Sequence, residues 1–148
     1  FLDLFTSEKV LLYQEDTIIF KTNINDFLEY DYIGAPWKVR SKENSGGNGG
    51  FSLRAVNTMK EVINTNPLFD INKDIYEILH DDNLKINNED GYFYDTMQSK
   101  GIGKLANLDV SKTFSIETIY YDDPFGGHDF FDIEPKWIEK INKMVLKN

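Results

Sequence analysis

The chain has 148 residues, of which 41% are hydrophobic and 14% aromatic, enough for one packed domain and against disorder. Its net charge of −9 argues against nucleic acid as a partner, because phosphate binding needs clustered Lys and Arg. There is no cysteine, which removes disulfide and thiolate chemistry and fits a reducing compartment, and no apolar run approaches the roughly 20 residues of a membrane span. No signal peptide is visible, so the cytoplasm is the favoured location. The apolar Phe1-Leu2-Asp3-Leu4-Phe5 leads almost at once into a strand, which reads as the middle of a domain, with an N-terminal portion expected elsewhere.

In chain order, Lys9-Val10-Leu11-Leu12-Tyr13 is a continuous apolar run typical of a central strand. Gln14-Glu15-Asp16 breaks it, and Thr17-Ile18-Ile19-Phe20 resumes an extended pattern. Asn25 to Leu28 reads as a short capped helical turn and Tyr32 to Ala35 as a short strand ended by Pro36-Trp37. Ser41 to Gly50 is polar and glycine-rich, which predicts a flexible loop, with Phe51-Ser52-Leu53-Arg54 as the strand that follows. Ala55, Val56, Met59, Val62 and Ile63 share one helical face, predicting a helix over 55–64. Lys73 to His80 predicts a second helix. Asn87-Asn88-Glu89-Asp90 opens another, with Tyr92/Thr96 and Phe93/Met97 stacked and Gly101 as its stop. Thr113 to Tyr120 alternates as a strand does, and Asp123 to His128 reads as a loop. A terminal helix carries Trp137, Ile138, Ile141, Met144 and Val145 on one stripe, with Pro135 in its first turn. Alternating strands and helices without an internal repeat predict a mixed α/β layer fold.

Four features can carry chemistry. Gln14-Glu15-Asp16 follows an apolar strand, where α/β sheets bind ligands, and Asp16 is an oxygen donor suited to a hard divalent cation; the other reading is a solvated acidic turn. In Gly46-Gly47-Asn48-Gly49-Gly50, missing side chains let a ligand come close to the backbone, or simply make a loop. No Gly-Lys-Ser/Thr follows and no GxGxxG matches, which excludes a Walker loop and a dinucleotide fingerprint. Glu89-Asp90 at a helix start is favoured by the macrodipole alone, by about 0.3–1 kcal/mol per carboxylate, or else supplies Asp90 as a general base. His128, beside Gly126-Gly127, is able to turn towards a metal, whereas His80 reads as a helix-end charge or packing residue.

The order of these features resembles the core of GT-A glycosyltransferases. Asp31-Tyr32-Ile33-Gly34-Ala35-Pro36-Trp37 and Gly47-Asn48-Gly49-Gly50-Phe51-Ser52-Leu53-Arg54 are the specific strings. Together with Glu89-Asp90, Phe114-Ser115-Ile116-Glu117 and Phe125-Gly126-Gly127-His128, they look like a glycosyltransferase-like family described as a domain of unknown function. The resemblance implies a GT-A-like mixed sheet flanked by helices, a single domain over 1–148 lacking part of its N-terminal nucleotide-binding half. It implies a divalent metal, Mn or Mg, at Asp16 and His128, with Gln14 standing where the family motif begins with aspartate. It implies Asp90 as catalytic base, with Trp37, Gly49, Gly50, Phe51, Arg54 and Glu89 contacting substrate. The expected activity is inverting transfer of a sugar from a nucleotide-sugar donor to a glycan or other hydroxyl acceptor. A non-catalytic glycan-binding or scaffolding relative is the alternative, and a glycoside hydrolase pairing Asp16 with Asp90 a third.

Overall fold

The computed structural model describes residues 2–38, 46–67, 88–130, 135, 137–139 and 142. Two small three-stranded sheets carry the chain. In the first, β1 (Lys9–Tyr13), β3 (Tyr32–Pro36) and β4 (Gly46–Ala55) are antiparallel in the order β1-β4-β3. In the second, β6 (Gly126–Gly127) lies between β2 (Ile18–Ile19), antiparallel to it, and β5 (Ser115–Ile116), parallel to it. The helices are α1 (Val56–Thr65), α2 (Glu89–Lys100) and α3 (Leu108–Phe114), with single 3-10 turns at Leu2–Leu4 and Ile24–Phe27. The architecture is mixed α/β, and no helix among the described residues is long and apolar enough to cross a membrane.

Strand alternation divides the core. Tyr32 points towards Met59 and Val62 of α1 and Tyr92, Phe93 and Met97 of α2. Its neighbour Ile33, with Phe51 and Leu53 of β4, faces Phe27, Phe114 and Phe125. There Phe51 stacks on Phe114 and Phe125, with ring centroids 5.1 and 5.8 Å away. A third cluster joins Ile116, Phe130 and Trp137 under the second sheet.

The structure corrects three sequence expectations. Gly46 to Gly50 form the first half of β4 rather than a loop, because buried neighbours leave no room for side chains there. Residues 41–45 lie outside the described residues, as does the expected helix over 73–80 with His80. Thr113 is not in a strand: it closes helix α3, whose first turn is capped by the Asn107 side chain accepting from Val110 N–H at 3.0 Å, and only Ser115–Ile116 pair as strand. Gly126 and Gly127, expected in a loop, are strand β6. In the terminal segment Pro135 and Trp137 are helical and Trp137 is buried, but Ile138 is half exposed; Ile141, Met144 and Val145 lie outside the described residues.

β4 carries an irregularity that matters for the site. Gly34 of β3 pairs with Ser52, yet its neighbour Ala35 pairs with Asn48, so Gly49, Gly50 and Phe51 bulge out opposite β3. Bulges of this kind re-aim the chain beside functional sites.

Candidate functional site

Strand register brings Asp16, Glu117 and His128 to one end of the second sheet. In the parallel pair, Ile116 lies opposite Gly127, so the next residues, Glu117 and His128, emerge side by side. In the antiparallel pair, Ile18 lies opposite Gly127, which places Asp16 opposite Asp129; the Asp129 N–H donates to Asp16 Oδ2 at 2.8 Å. Asp129 is the one described non-glycine residue with positive φ, at 48°, a conformation aspartate tolerates better than most. His128 N–H donates to Ile116 O at 3.2 Å, fixing the imidazole's root.

The result is a crowded, poorly solvated cluster. His128 is 3% exposed, and its Nε2 lies 2.8 Å from Asn48 Oδ1 and 3.9 Å from Glu117 Oε2. Burial pushes the Glu117 carboxyl up to about 7, helped by the negative charges of Asp129, Asp90 and Asp16. Burial holds His128 below its ordinary value, against the opposing pull of Asp16, Asp129 and Asp90. Asp16 Oδ1, Glu117 Oε2 and His128 Nδ1 are buried without a hydrogen-bond partner among the described residues. Buried polar atoms are normally paired, so three unpartnered ones in one cluster single it out as a place where a ligand could bind.

The second half of the site lies across the β4 bulge. Asp90, in the first turn of α2, accepts Gly49 N–H on Oδ2 at 3.1 Å and Gly91 N–H on Oδ1 at 2.7 Å. A Cβ on Gly49 would sit 2.7 Å from Arg54 Nη2 and 2.9 Å from Asp90 Cβ, and one on Gly50 would come within 2.0 Å of His128 Cε1. Both positions therefore require glycine for close approach. Gly50 O also accepts Gln14 N–H at 2.9 Å, tying the acidic turn to the bulge, and it is the Gln14 backbone that makes this contact.

Arg54 is 3% exposed and fully engaged: its guanidinium pairs with Glu89, Nε donates to Ser52 Oγ at 2.9 Å, and Cζ lies 4.7 Å from the Tyr32 ring centroid. The Tyr32 hydroxyl donates to Gly47 O at 2.8 Å, and burial pushes its phenol well above the usual range. Trp37 is half buried, its ring perpendicular to Tyr94 at 5.3 Å, so it is packed along one edge. The Phe51 ring lies in the core stack and reaches the site only through its backbone. A cavity of about 640 Å³, walled by Val10, Leu12, Met59 and Phe93, opens beside Gly49, Arg54 and Glu89.

The residues singled out in the sequence thus fall into two sets. Asp16 and His128 share the buried cluster; Glu89, Arg54 and Gly49 line the cavity, with Asp90 bonded to Gly49 behind it; Gly50 joins the two. Glu117 stood in a supporting motif without a role, and only the β5–β6 register reveals its place. Among the described residues no three His, Asp or Glu side chains are arranged as a ready metal cage. The donors nonetheless fit a cation held in part by its substrate: one imidazole and one carboxylate, each with an unpartnered buried atom, are ligand types for Mn-like ions.

No curated protein and no solved structure matches this chain. A family model does match, over residues 1–128, a span that contains Asp16, the glycine bulge, Glu89-Asp90, Glu117 and His128. The chain belongs to DUF5672, a family of proteins of unknown function.

Proposed function

We propose that this domain transfers a sugar from a nucleotide-sugar donor to a hydroxyl acceptor, with inversion and with a divalent cation at Asp16 and His128. The observation that carries the reading is the buried Asp16–Glu117–His128 cluster, with three unpartnered atoms, standing across two glycines from an oriented carboxylate. The ordered resemblance to GT-A enzymes supports it. A bound cation would neutralise the charge that develops on a leaving diphosphate.

Asp90 acts as the base. Each of its oxygens accepts one backbone N–H, which fixes the carboxylate plane and leaves lone pairs over for a proton. As the acceptor oxygen bonds to the anomeric carbon, its proton passes to Asp90. The bond from that carbon to the diphosphate breaks, and its electron pair leaves with the phosphate. The cavity beside Gly49, Arg54 and Glu89 has a volume within the ordinary range for small-molecule sites and is assigned to the acceptor. Buried Arg54 pairs with the exposed Glu89 and holds it at the cavity wall.

The test is sugar-nucleotide turnover with Mn²⁺ by the protein that carries this chain. Asp90→Asn is expected to lower turnover about 10²–10⁴-fold, the usual yield of general-base catalysis. Unchanged turnover in that variant removes Asp90 from the role. The second reading, a metal-independent glycan-binding module, is favoured by Gln14 in the motif's first position. Calorimetric glycan binding indifferent to Mn²⁺ and to nucleotide would establish it instead.

A further inference from the structure

We infer that Asn48 locks His128 in the tautomer with its proton on Nε2, leaving Nδ1 as the nitrogen offered to the cation. The tautomer stands on geometry alone, whereas the ligating role of Nδ1 rests on the glycosyltransferase reading above.

The identity of the Asn48 atom is fixed first. Gly50 N–H reaches Asn48 Oδ1 at 2.9 Å, and a backbone N–H only donates, so this atom of the amide is the oxygen. The same oxygen is 2.8 Å from His128 Nε2. An oxygen that carries no hydrogen has to be met by an N–H, so Nε2 bears the proton. Glu117 Oε2, 3.9 Å from the same nitrogen and too far to accept from it, places a second oxygen on that side. A bare Nε2 lone pair there would face two oxygens.

In the neutral ring Nδ1 is then the unprotonated nitrogen. It is buried and has no hydrogen-bond partner among the described residues. The imidazole lies against Gly50, where an added Cβ would come within 2.4 Å of Nε2 and 2.6 Å of Nδ1, so the glycine leaves the ring the room to hold this orientation. The Asn48-Gly49-Gly50 segment therefore does two things at once. Asn48 supplies the acceptor that selects the tautomer, and Gly50 supplies the space in which the ring lies. Which nitrogen of a histidine is metallated is set by the hydrogen bond made by the other one. Asn48 is on this account a positioning residue that acts through His128.

The test uses ¹⁵N-labelled protein at pH 8 with chelator, reading imidazole tautomers from two-bond ¹⁵N–¹H correlations, with His128→Gln assigning the signal. The wild type is expected to show the Nε2–H form. Asn48→Ala is expected to admit the Nδ1–H form, and Asn48→Asp, which keeps an acceptor oxygen, to retain Nε2–H. Electron paramagnetic resonance of free Mn²⁺ then reads affinity, expected to weaken about 10-fold or more in Asn48→Ala and to recover in Asn48→Asp. Circular dichroism melts check that each variant folds. An Nδ1–H wild type, or a tautomer indifferent to Asn48→Ala, overturns the lock. Unchanged Mn²⁺ affinity in Asn48→Ala, where His128→Gln weakens it, overturns the positioning role. A protein with the expected tautomers but no Mn²⁺ binding supports the lock and sinks the cation-dependent reading instead.

Discussion

Glu117 carries a strongly raised carboxyl, and its consequence is a pH dependence with a definite sign. Its carboxyl titrates near 7 in the fold against an ordinary value of 4.5, mainly through burial. A raised acid contributes stability that is fully present below about 4.5 and is lost as pH climbs through about 7. In metal-free protein, Glu117→Gln should therefore gain on the wild type between pH 5 and pH 8, by on the order of 2–3 kcal/mol. Urea unfolding at the two pH values reads this directly; parallel stabilities would refute it. His128 behaves oppositely, since its lowered pKa gives stability present above about 6.5 and lost as pH falls through the folded value. Comparing the Gln variant with wild type cancels that contribution. Sequence cues reached Asp16, Asp90 and His128 because each sits at a local landmark: a strand end, a helix start, a glycine pair. Glu117 has no such landmark. Its position depends on the pairing of two two-residue strands, information that no local pattern contains.

At the scale of elements, apolar runs and stripes long enough to declare their period were legible: β1, β3, α1 and α2 all form where the pattern places them, although β1 is an edge strand and not the central one its apolar run suggested. The end of α2 illustrates why. Gly101 closes it at φ 66°, the left-handed conformation that glycine adopts without penalty, and its N–H is bonded to Met97 O. Nothing lies within 4 Å of a Cβ added there, so Gly101→Ala carries a backbone penalty alone. The expected cost is about 1 kcal/mol, seen as a lower denaturation midpoint, and Gly101→Asn should recover part of it. What local pattern misses is equally physical. Glycine shows no hydrophobic period, so the first half of β4 resembled a loop; its strand character comes from neighbours contributed by residues 89–94 and 128. Helix α3 is only seven residues long and holds the β-branched Val110 and Thr113, which mimic a strand. Its true signal was the Asn107 cap.

For the whole molecule, the mixed α/β class followed from the alternation of elements, but the split into two sheets, each with its central strand contributed from later in the chain than a neighbour, did not. A net charge of −9 attracts cations to the molecule, and a specific site would add to that attraction. A ligand that binds only the folded state stabilises it by about 2.7 kcal/mol at a hundred times its dissociation constant. Mn²⁺ should accordingly raise the melting temperature in a concentration-dependent way, and Asp16→Asn should abolish most of the rise. An equal rise in that variant would indicate general charge screening rather than a site. The bulge at Gly49 and Gly50 has a further consequence. A single peptide bond separates the residue packed on Asp90 and Arg54 from the one packed on His128, and neither has a side chain to absorb a displacement. A movement of the strand that accommodates a ligand on one side is thereby felt on the other. Such coupling is reciprocal: whatever factor an acceptor imposes on cation affinity, the cation imposes on the acceptor. On the proposed function, two residues without side chains would thus make cation and acceptor answer to each other.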